Sequence, residues 1–434
     1  MREMKDSGIE WIGEIPTDWE TRKIKQLADP NVENSFVDGD WIESPHIVDS
    51  GIRYLTTGNI GDGVFKEQGN GYITPKTFEE LACKYAFPGD LIISRLNTPY
   101  GRSCILPSNY AEYVVAVDNV ILRTQEDKRY ICYVSQCDGY KQTVADEAKG
   151  TTMKRISRTN LGNIVIPLPP VHQQHRIADY LDRKCSQIDA IIARQQEVIE
   201  KLKAYKLSVI TEAVTKGLNP DVPMKGSGVE WIGKIPEHWE TASISRVATV
   251  VRGASPRPAG DPRYFNGQDV PWITVAEVTK DDGKYITSTE SYLTEEGAKC
   301  SRIVEKGTLL LSNSGATLGV PKVTLITGCI NDGSVAFFDL KVTQMYLFYV
   351  FKSRTLELRK QMQGYGQPNL NTTIIKSITI PLPHSDEQKS ICEYLDKRCK
   401  AVDDAIEIKG KVVGRLSDYK KSLIYEVVTG KKEV

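Results

Sequence analysis

No run of about 18 apolar residues occurs in the 434-residue chain, so a membrane-spanning helix is excluded from its reading. The first residues, Met1-Arg2-Glu3-Met4-Lys5-Asp6, lack the apolar core of a signal peptide. Nine cysteines are present, but no Cys-x-x-Cys pair; Cys132 and Cys137 come nearest. That excludes a zinc ribbon or a thioredoxin-like motif, and scattered thiols of this kind point to a cytoplasmic protein. There is no P-loop and no glycine-rich strand-to-helix turn for a nucleotide or methyl-donor cofactor. Gly364-Tyr365-Gly366 lacks the third glycine of a dinucleotide fingerprint. His172 and His175 could share a helix face, but their repeat counterparts are Asp386 and Lys389, so no metal site is expected. Nor is there an excess of either charge: Lys plus Arg equals Asp plus Glu at 56 each. Bulk charge therefore does not announce nucleic-acid binding, and any phosphate grip must come from charge gathered on one face or from a partner.

What the chain does have is a plan written twice. Met4-Lys5-Asp6-Ser7-Gly8-Ile9-Glu10-Trp11-Ile12-Gly13-Glu14-Ile15-Pro16 returns as Met224-Lys225-Gly226-Ser227-Gly228-Val229-Glu230-Trp231-Ile232-Gly233-Lys234-Ile235-Pro236. A second block begins at Ile166-Pro167-Leu168-Pro169 and again at Ile380-Pro381-Leu382-Pro383. Within it Tyr180-Leu181-Asp182 matches Tyr394-Leu395-Asp396, and Cys185 matches Cys399. Between the blocks the two halves diverge in length and sequence. Trp11 and Trp231 read as packing anchors, Cys185 and Cys399 as small apolar fillers.

The second block predicts a long helix. Pro167, Pro169 and Pro170 bar helix before Val171, and no Pro or Gly follows until Gly217. Ile177, Leu181, Ile188, Ile191, Val198, Leu202, Tyr205 and Val209 recur at spacings of three, four and seven. The second copy supplies Ile391, Leu395, Val402, Val412, Leu416, Tyr419 and Leu423. About 40 helical residues make a rod of about 60 Å, whose stripe needs a partner. The nearest partner is its twin, paired antiparallel, with Gln195 and Lys409 as polar register marks.

The variable segments, residues 20–165 and 240–380, read as small mixed α/β domains. Strands are predicted at 91–93, 113–115, 308–311 and 335–338, and helical patches at 129–147 and 343–363. Several polar turns could reach a nucleic acid, with Arg suited to guanine edges, Asn and Gln to adenine edges, and Lys and hydroxyls to phosphates. In the first half these are Arg95, Asn97, Tyr100 and Arg102 on one loop and Thr152, Lys154 and Arg155 on another. In the second they are Arg252, Ser255 and Arg257, then Asn313, Ser314 and Thr317, then Tyr365, Gln367 and Asn369. Asn97-Thr98-Pro99-Tyr100 misses one proline of an adenine-methyltransferase motif, and no cofactor motif accompanies it, so no catalytic residue is expected.

The Ser-Gly-x-Glu-Trp-Ile-Gly-x-Ile-Pro block, the Ile-Pro-Leu-Pro lead-in, the Gln-x-x-Ile-x-x-Tyr-Leu-Asp helix start and the Lys-x-Ser-hydrophobic-Ile segment resemble Type I restriction-modification specificity subunits. The likeness runs over essentially the whole chain, twice, in family order. It implies an α/β (mixed α+β) fold of two target-recognition domains joined by two long antiparallel coiled-coil helices, in a pseudo-twofold internal repeat. On that reading residues 1–168 and 219–382 are recognition domains, and 169–218 and 383–434 are spacer helices that set the distance between half-sites. It further implies a non-catalytic subunit that binds double-stranded DNA at a bipartite, asymmetric sequence. Two modification (methyltransferase) subunits and restriction (translocase/nuclease) subunits would be its partners; S-adenosylmethionine, ATP and Mg would sit on them, and no cofactor on this chain. A DNA methyltransferase with its own recognition domain, and a coiled-coil scaffold for proteins, are the rival readings. The first lacks a cofactor motif; the second would lack salt-sensitive, sequence-dependent DNA binding.

Overall fold

A computed structural model describes residues 2–96, 98–150, 154–315, 317–361 and 370–434. Two compact units divide the chain: Met1–Gln195 with Lys411–Val434, and Gln196–Gly410. Each contains one variable segment and parts of both long helices, which span Val171–Lys216 and Ser385–Val428. Among the described residues no helix is long and apolar enough to cross a membrane.

The first unit opens with an antiparallel hairpin, Met4–Ile9 against Gly13–Pro16. Its variable segment starts and ends in one short ladder, Glu20–Lys23 against Val165–Leu168, so the domain is closed at its base by its own two ends. Inside lie a four-stranded antiparallel sheet, in the order Phe36–Asp38, Asn119–Leu122, Leu91–Ser94, Ser103–Ile105, and a three-stranded sheet that includes the parallel pair Ile52–Leu55 and Tyr113–Val115. Leu91, Ile92, Ile93, Val120, Ile121 and Leu122 are buried on both faces, which is why these runs are continuously apolar rather than alternating. The expected helical patch at 129–147 is two helices, Lys128–Ser135 and Asp138–Asp146. The break falls where Cys137 is extended (φ −67°, ψ 134°).

The second unit repeats this plan. The hairpin is Met224–Gly226 with Lys234–Pro236, and the closing ladder Glu240–Ser243 with Thr379–Leu382. A five-stranded sheet is built on Thr249–Arg252, Ser334–Phe338, Leu309–Ser312, Pro321–Thr324 and Tyr285–Ile286, beside a four-stranded one. The helix Gln344–Gln361 precedes the closing ladder.

The repeated tryptophans explain how the long helices end. Gly217 (φ +76°) stops the first helix, and a Cβ there would lie 3.2 Å from the Trp239 ring. At Gly430 (φ +73°), just past the second helix, a Cβ would lie 2.4 Å from Pro16 and 3.3 Å from the Trp19 ring. Left-handed backbone and an indole face in van der Waals contact together demand glycine. Trp19 donates to Gln173 Oε1 (2.9 Å) and Trp239 to Glu387 Oε2 (3.1 Å), tying each hairpin to a helix start in its own unit. Trp11 packs on Tyr425, and Arg354 lies over the Trp231 ring, as anchors should.

Within the first unit the two helical segments run antiparallel: Asp189 pairs with Lys420 (2.6 Å), while Arg176, earlier in its helix, reaches the carbonyl of Val434. In the second, Lys206 pairs with Asp403 (2.7 Å). Leu181 and Leu395 are fully buried. The apolar stripe differs from its sequence reading, however. Ile191, Tyr205, Val412 and Tyr419 are exposed, and Ile192 packs inward in place of Ile191. A period of 3.6 drifts off a seven-residue pattern, so the buried edge moves round the helix.

Candidate nucleic-acid interface

In the first unit, the strand Leu91–Ser94 runs into the loop 95–101 and returns as Ser103–Ile105. The loop is tied at its neck by Gly101 N–H to Ser94 O (2.9 Å) and Ser94 N–H to Arg102 O (2.9 Å). Arg155 and Ile156 lie against it: Ile156 N–H donates to Arg95 O (3.1 Å), and Leu96 and Arg155 form a bridge. A third piece, the turn 115–119, completes the group through Arg95 N–H to Asp118 O (2.8 Å). The two candidate stretches of this half, separate in sequence, are thus neighbours in space.

The side chains sort into inward and outward sets. Arg95 and Arg102, named from the sequence as DNA contacts, are buried and spent inside the fold. Arg95 donates to Ile156 O (3.1 Å) and Val117 O (2.6 Å) and pairs with Asp38 (3.1 Å). Arg102 donates to Ile60 O (2.6 Å), Thr57 O (2.8 Å) and Pro99 O (3.1 Å). Burial lowers both guanidinium pKa values, against the pull of nearby aspartates. Planar donors that each bind several carbonyls make these arginines struts for the loops, not readers of bases. Tyr100 is half-buried against the core. Lys154 and Arg155 are exposed, with Lys149 and Arg158 beside them in sequence, also exposed. Asp118 steadies Arg155 at 3.3 Å. Asn97 and Thr152 lie outside the described residues.

The second unit makes the same hydrogen bonds. Gly319 N–H meets Ser312 O (2.8 Å), Ser312 N–H meets Val320 O (3.0 Å), Asn313 N–H meets Gly333 O (2.9 Å), and Leu370 N–H meets Asn313 O (2.7 Å). Loop 313–319 therefore corresponds to 95–101, turn 331–334 to 116–119, and Leu370 to Ile156. Asn313 stands where Arg95 stands, fully buried, with neither end of its amide hydrogen-bonded among the described residues. Ser314 is half-buried and Thr317 exposed. Arg252, Ser255 and Arg257 converge on one residue: Arg252 donates to Asp332 O (2.9 Å), Ser255 to Asp332 Oδ1 (2.6 Å), and Arg257 to Oδ2 (3.4 Å). Tyr365, Gln367 and Asn369 lie outside the described residues.

Chemically, each unit presents a platform of three segments joined by main-chain hydrogen bonds, with cations and hydroxyls on its rim. Among the described residues no cluster of three His, Cys, Asp or Glu could hold a metal ion. The Type I restriction modification DNA specificity domain matches residues 16–201 and again 236–411.

The chain belongs to that family.

This specificity subunit is 27% identical over 436 aligned positions to the putative type I restriction enzyme MjaX specificity subunit of Methanocaldococcus jannaschii, covering 98% of this chain and 96% of the relative. It is 29% identical over 306 positions to the MjaVIII specificity subunit of the same organism, with 66% and 67% covered. Against the EcoBI specificity subunit of Escherichia coli the identity is 21% over 366 positions, with 80% and 74% covered. A chain solved in work on complex assembly and conformational transition of the type I R-M system shares its fold, with a TM-score of 0.73 at 16% identity, over 96% of this chain and 99% of that one.

The spatial correspondence also exposes a stretch of the specificity subunit that sequence reasoning passed over. Gly39 N–H meets Asn119 O (2.9 Å) as Gly253 N–H meets Ser334 O (2.9 Å), so the loop after Asp38 is the counterpart of the loop after Arg252. The second drew attention through its arginines. The first, Trp41-Ile42-Glu43-Ser44-Pro45-His46, carries none, and only the Gly39–Gly253 register could have found it.

Proposed function

We propose that this subunit reads a bipartite, asymmetric double-stranded DNA sequence, one half-site per recognition domain, and directs methylation and cleavage by partner subunits without catalysing either step. The observation that carries this reading is the pair of platforms with the same main-chain hydrogen bonds and unlike rims. Loops 95–101 and 313–319 have equal length and equal neck hydrogen bonds, yet Arg95 answers to Asn313 and Asp38 to Arg252. Two readers on one frame with different side chains recognise two different half-sites. Exposed Lys149, Lys154, Arg155 and Arg158 in one domain and Arg252 and Arg257 in the other give each a phosphate grip, despite the neutral whole. Methyl transfer with S-adenosylmethionine, and translocation with ATP and Mg, are assigned to two modification subunits and to restriction subunits.

Genome-wide mapping of methylated adenines tests this, in cells expressing the chain with its modification subunit and in cells lacking the chain. One split motif with two dissimilar halves, present only with the chain, is the expected result. No new motif from an associated, soluble pair would overturn the proposal.

A further inference from the structure

We propose that Trp41 is a DNA contact of the first recognition domain, laid against sugar and base edges of its half-site. The inference rests on the DNA-reading function proposed above and adds a residue to it. Of the six tryptophans, Trp19, Trp239 and Trp272 are buried and Trp11 and Trp231 half-buried, whereas Trp41 is 69% exposed. A large aromatic left in water on a rigid surface is a reservoir of contact area, and tryptophan is among the residues that contribute most at interfaces.

Trp41 is also presented, not merely exposed. The preceding residue is pinned on both sides, by Asp40 N–H to Val115 O (2.8 Å) and Val117 N–H to Asp40 O (3.0 Å). The Asp40 carboxylate accepts from Lys84 N–H (2.8 Å) and binds the Lys84 ammonium as well. Gly39 before it fits so tightly that a Cβ would stand 2.2 Å from Val115 O. Such a base fixes the main chain from which the side chain emerges, so little backbone freedom is left to lose on binding.

Its position on the platform selects the partner. The turn that pins Asp40 is the one whose Val117 carbonyl takes Arg95 and whose Asp118 steadies Arg155. Trp41 therefore leaves the platform from the turn that braces the basic segment, where Lys149, Lys154, Arg155 and Arg158 are exposed. Cations on a segment braced by the same turn as an exposed aromatic suit a polyanion with apolar sugar and base faces, and match an apolar protein surface poorly. The counterpart in the second domain is Ser255, a small hydroxyl held by Asp332. Apolar contact by Trp41 is thus a feature of the first half-site alone.

The test uses the subunit assembled with its modification subunits and labelled duplexes carrying the mapped methylation motif, intact or altered in one half-site. Trp41→Ala is expected to weaken binding of the intact duplex about tenfold. It should flatten the penalties for altering the first half-site while those for the second stay as they were. Trp41→Phe should fall between, and intact duplex should shield the wild-type indole from acrylamide quenching. Unchanged affinity with unchanged first-half-site penalties in Trp41→Ala would overturn the inference. So would weakened assembly with the modification subunits at unaltered half-site penalties, which makes Trp41 a protein contact. A wild-type complex with no motif at all removes the underlying function instead, an outcome readable before any variant is made.

Discussion

The two recognition domains place a guanidinium at the same structural spot from opposite directions. In the first, Arg95 comes up from the strand end, donates to Val117 O at the turn (2.6 Å), and finds its counter-charge in Asp38. In the second, the strand end carries Asn313, and Arg252, at the position of Asp38, donates to the corresponding carbonyl, Asp332 O (2.9 Å). One cation is buried and the other exposed. The turn needs its carbonyl satisfied; the fold does not specify which strand supplies the donor. Main-chain hydrogen bonds hold the platform, and the side chains around it differ between the two domains.

If the cores are equivalent while the rims are not, the largest mutational effects should be alike in the two units. Leu181→Ala and Leu395→Ala, both at fully buried positions, are expected to cost about 2–5 kcal/mol each in their own unit. Native-state hydrogen exchange reads each unit separately; losses differing by more than about 2 kcal/mol would break the equivalence. The exchanged arginines should then separate the units. Arg95→Ala takes a buried cation from Asp38 and the donor from two carbonyls, and should lower stability by about 3 kcal/mol. Arg252→Ala, at an exposed position, should cost under about 1 kcal/mol. Equal costs by chemical denaturation would mean that the swap is not structural.

Acid sharpens the comparison further. Asp127 N–H meets Gln174 Oε1 (2.9 Å) as Thr343 N–H meets Gln388 Oε1 (2.7 Å), so these residues correspond, but only Asp127 ionises. Burial pushes the Asp127 pKa up, and hydrogen bonds from Arg129 and His175 outweigh it, leaving the carboxyl below its ordinary value. A folded-state pKa below the unfolded one contributes stability above about pH 4, which is lost as pH falls through the folded value. Amide protection in the helix Lys128–Ser135 should therefore decline with acid before that in Gln344–Gln361, and Asp127→Asn should abolish the lead. The smallest effect concerns thiols. Cys83, Cys104, Cys132, Cys137 and Cys185 of the first unit are buried, and burial raises Cys104 and Cys132 to about 12. Cys300 of the second unit is exposed, so brief alkylation of the native protein should label Cys300 and leave the first unit unmodified by peptide mass analysis.

Much of the architecture was legible before the structure. The prolines before Val171 and the glycine after Lys216 bound the first long helix where it is found, and the β-branched runs at 91–93 and 113–115 are strands. These features are local: φ restriction, φ freedom and continuous apolarity act within a few residues. The interface was legible only as loops. Arg95 and Arg102 look like Lys154 and Arg155 in sequence, yet the first two fold inward on carbonyls supplied by residues 57, 60, 117 and 156. Trp41 gave the opposite difficulty, since an aromatic beside a short strand reads as core until its neighbours are placed.

By itself, then, the sequence determined the doubling, the long helices and the ends of the first, the strand-bearing halves and the family, because repetition, helical period and backbone breakers are properties of a chain read in order. Only the tertiary structure decided which arginines are struts and which are exposed, that loop 38–50 answers to loop 252–264, and that Trp41 stands in water. A side chain's fate depends on which distant carbonyl or carboxylate meets it, and burial with a partner outweighs the preference of any charged residue for solvent.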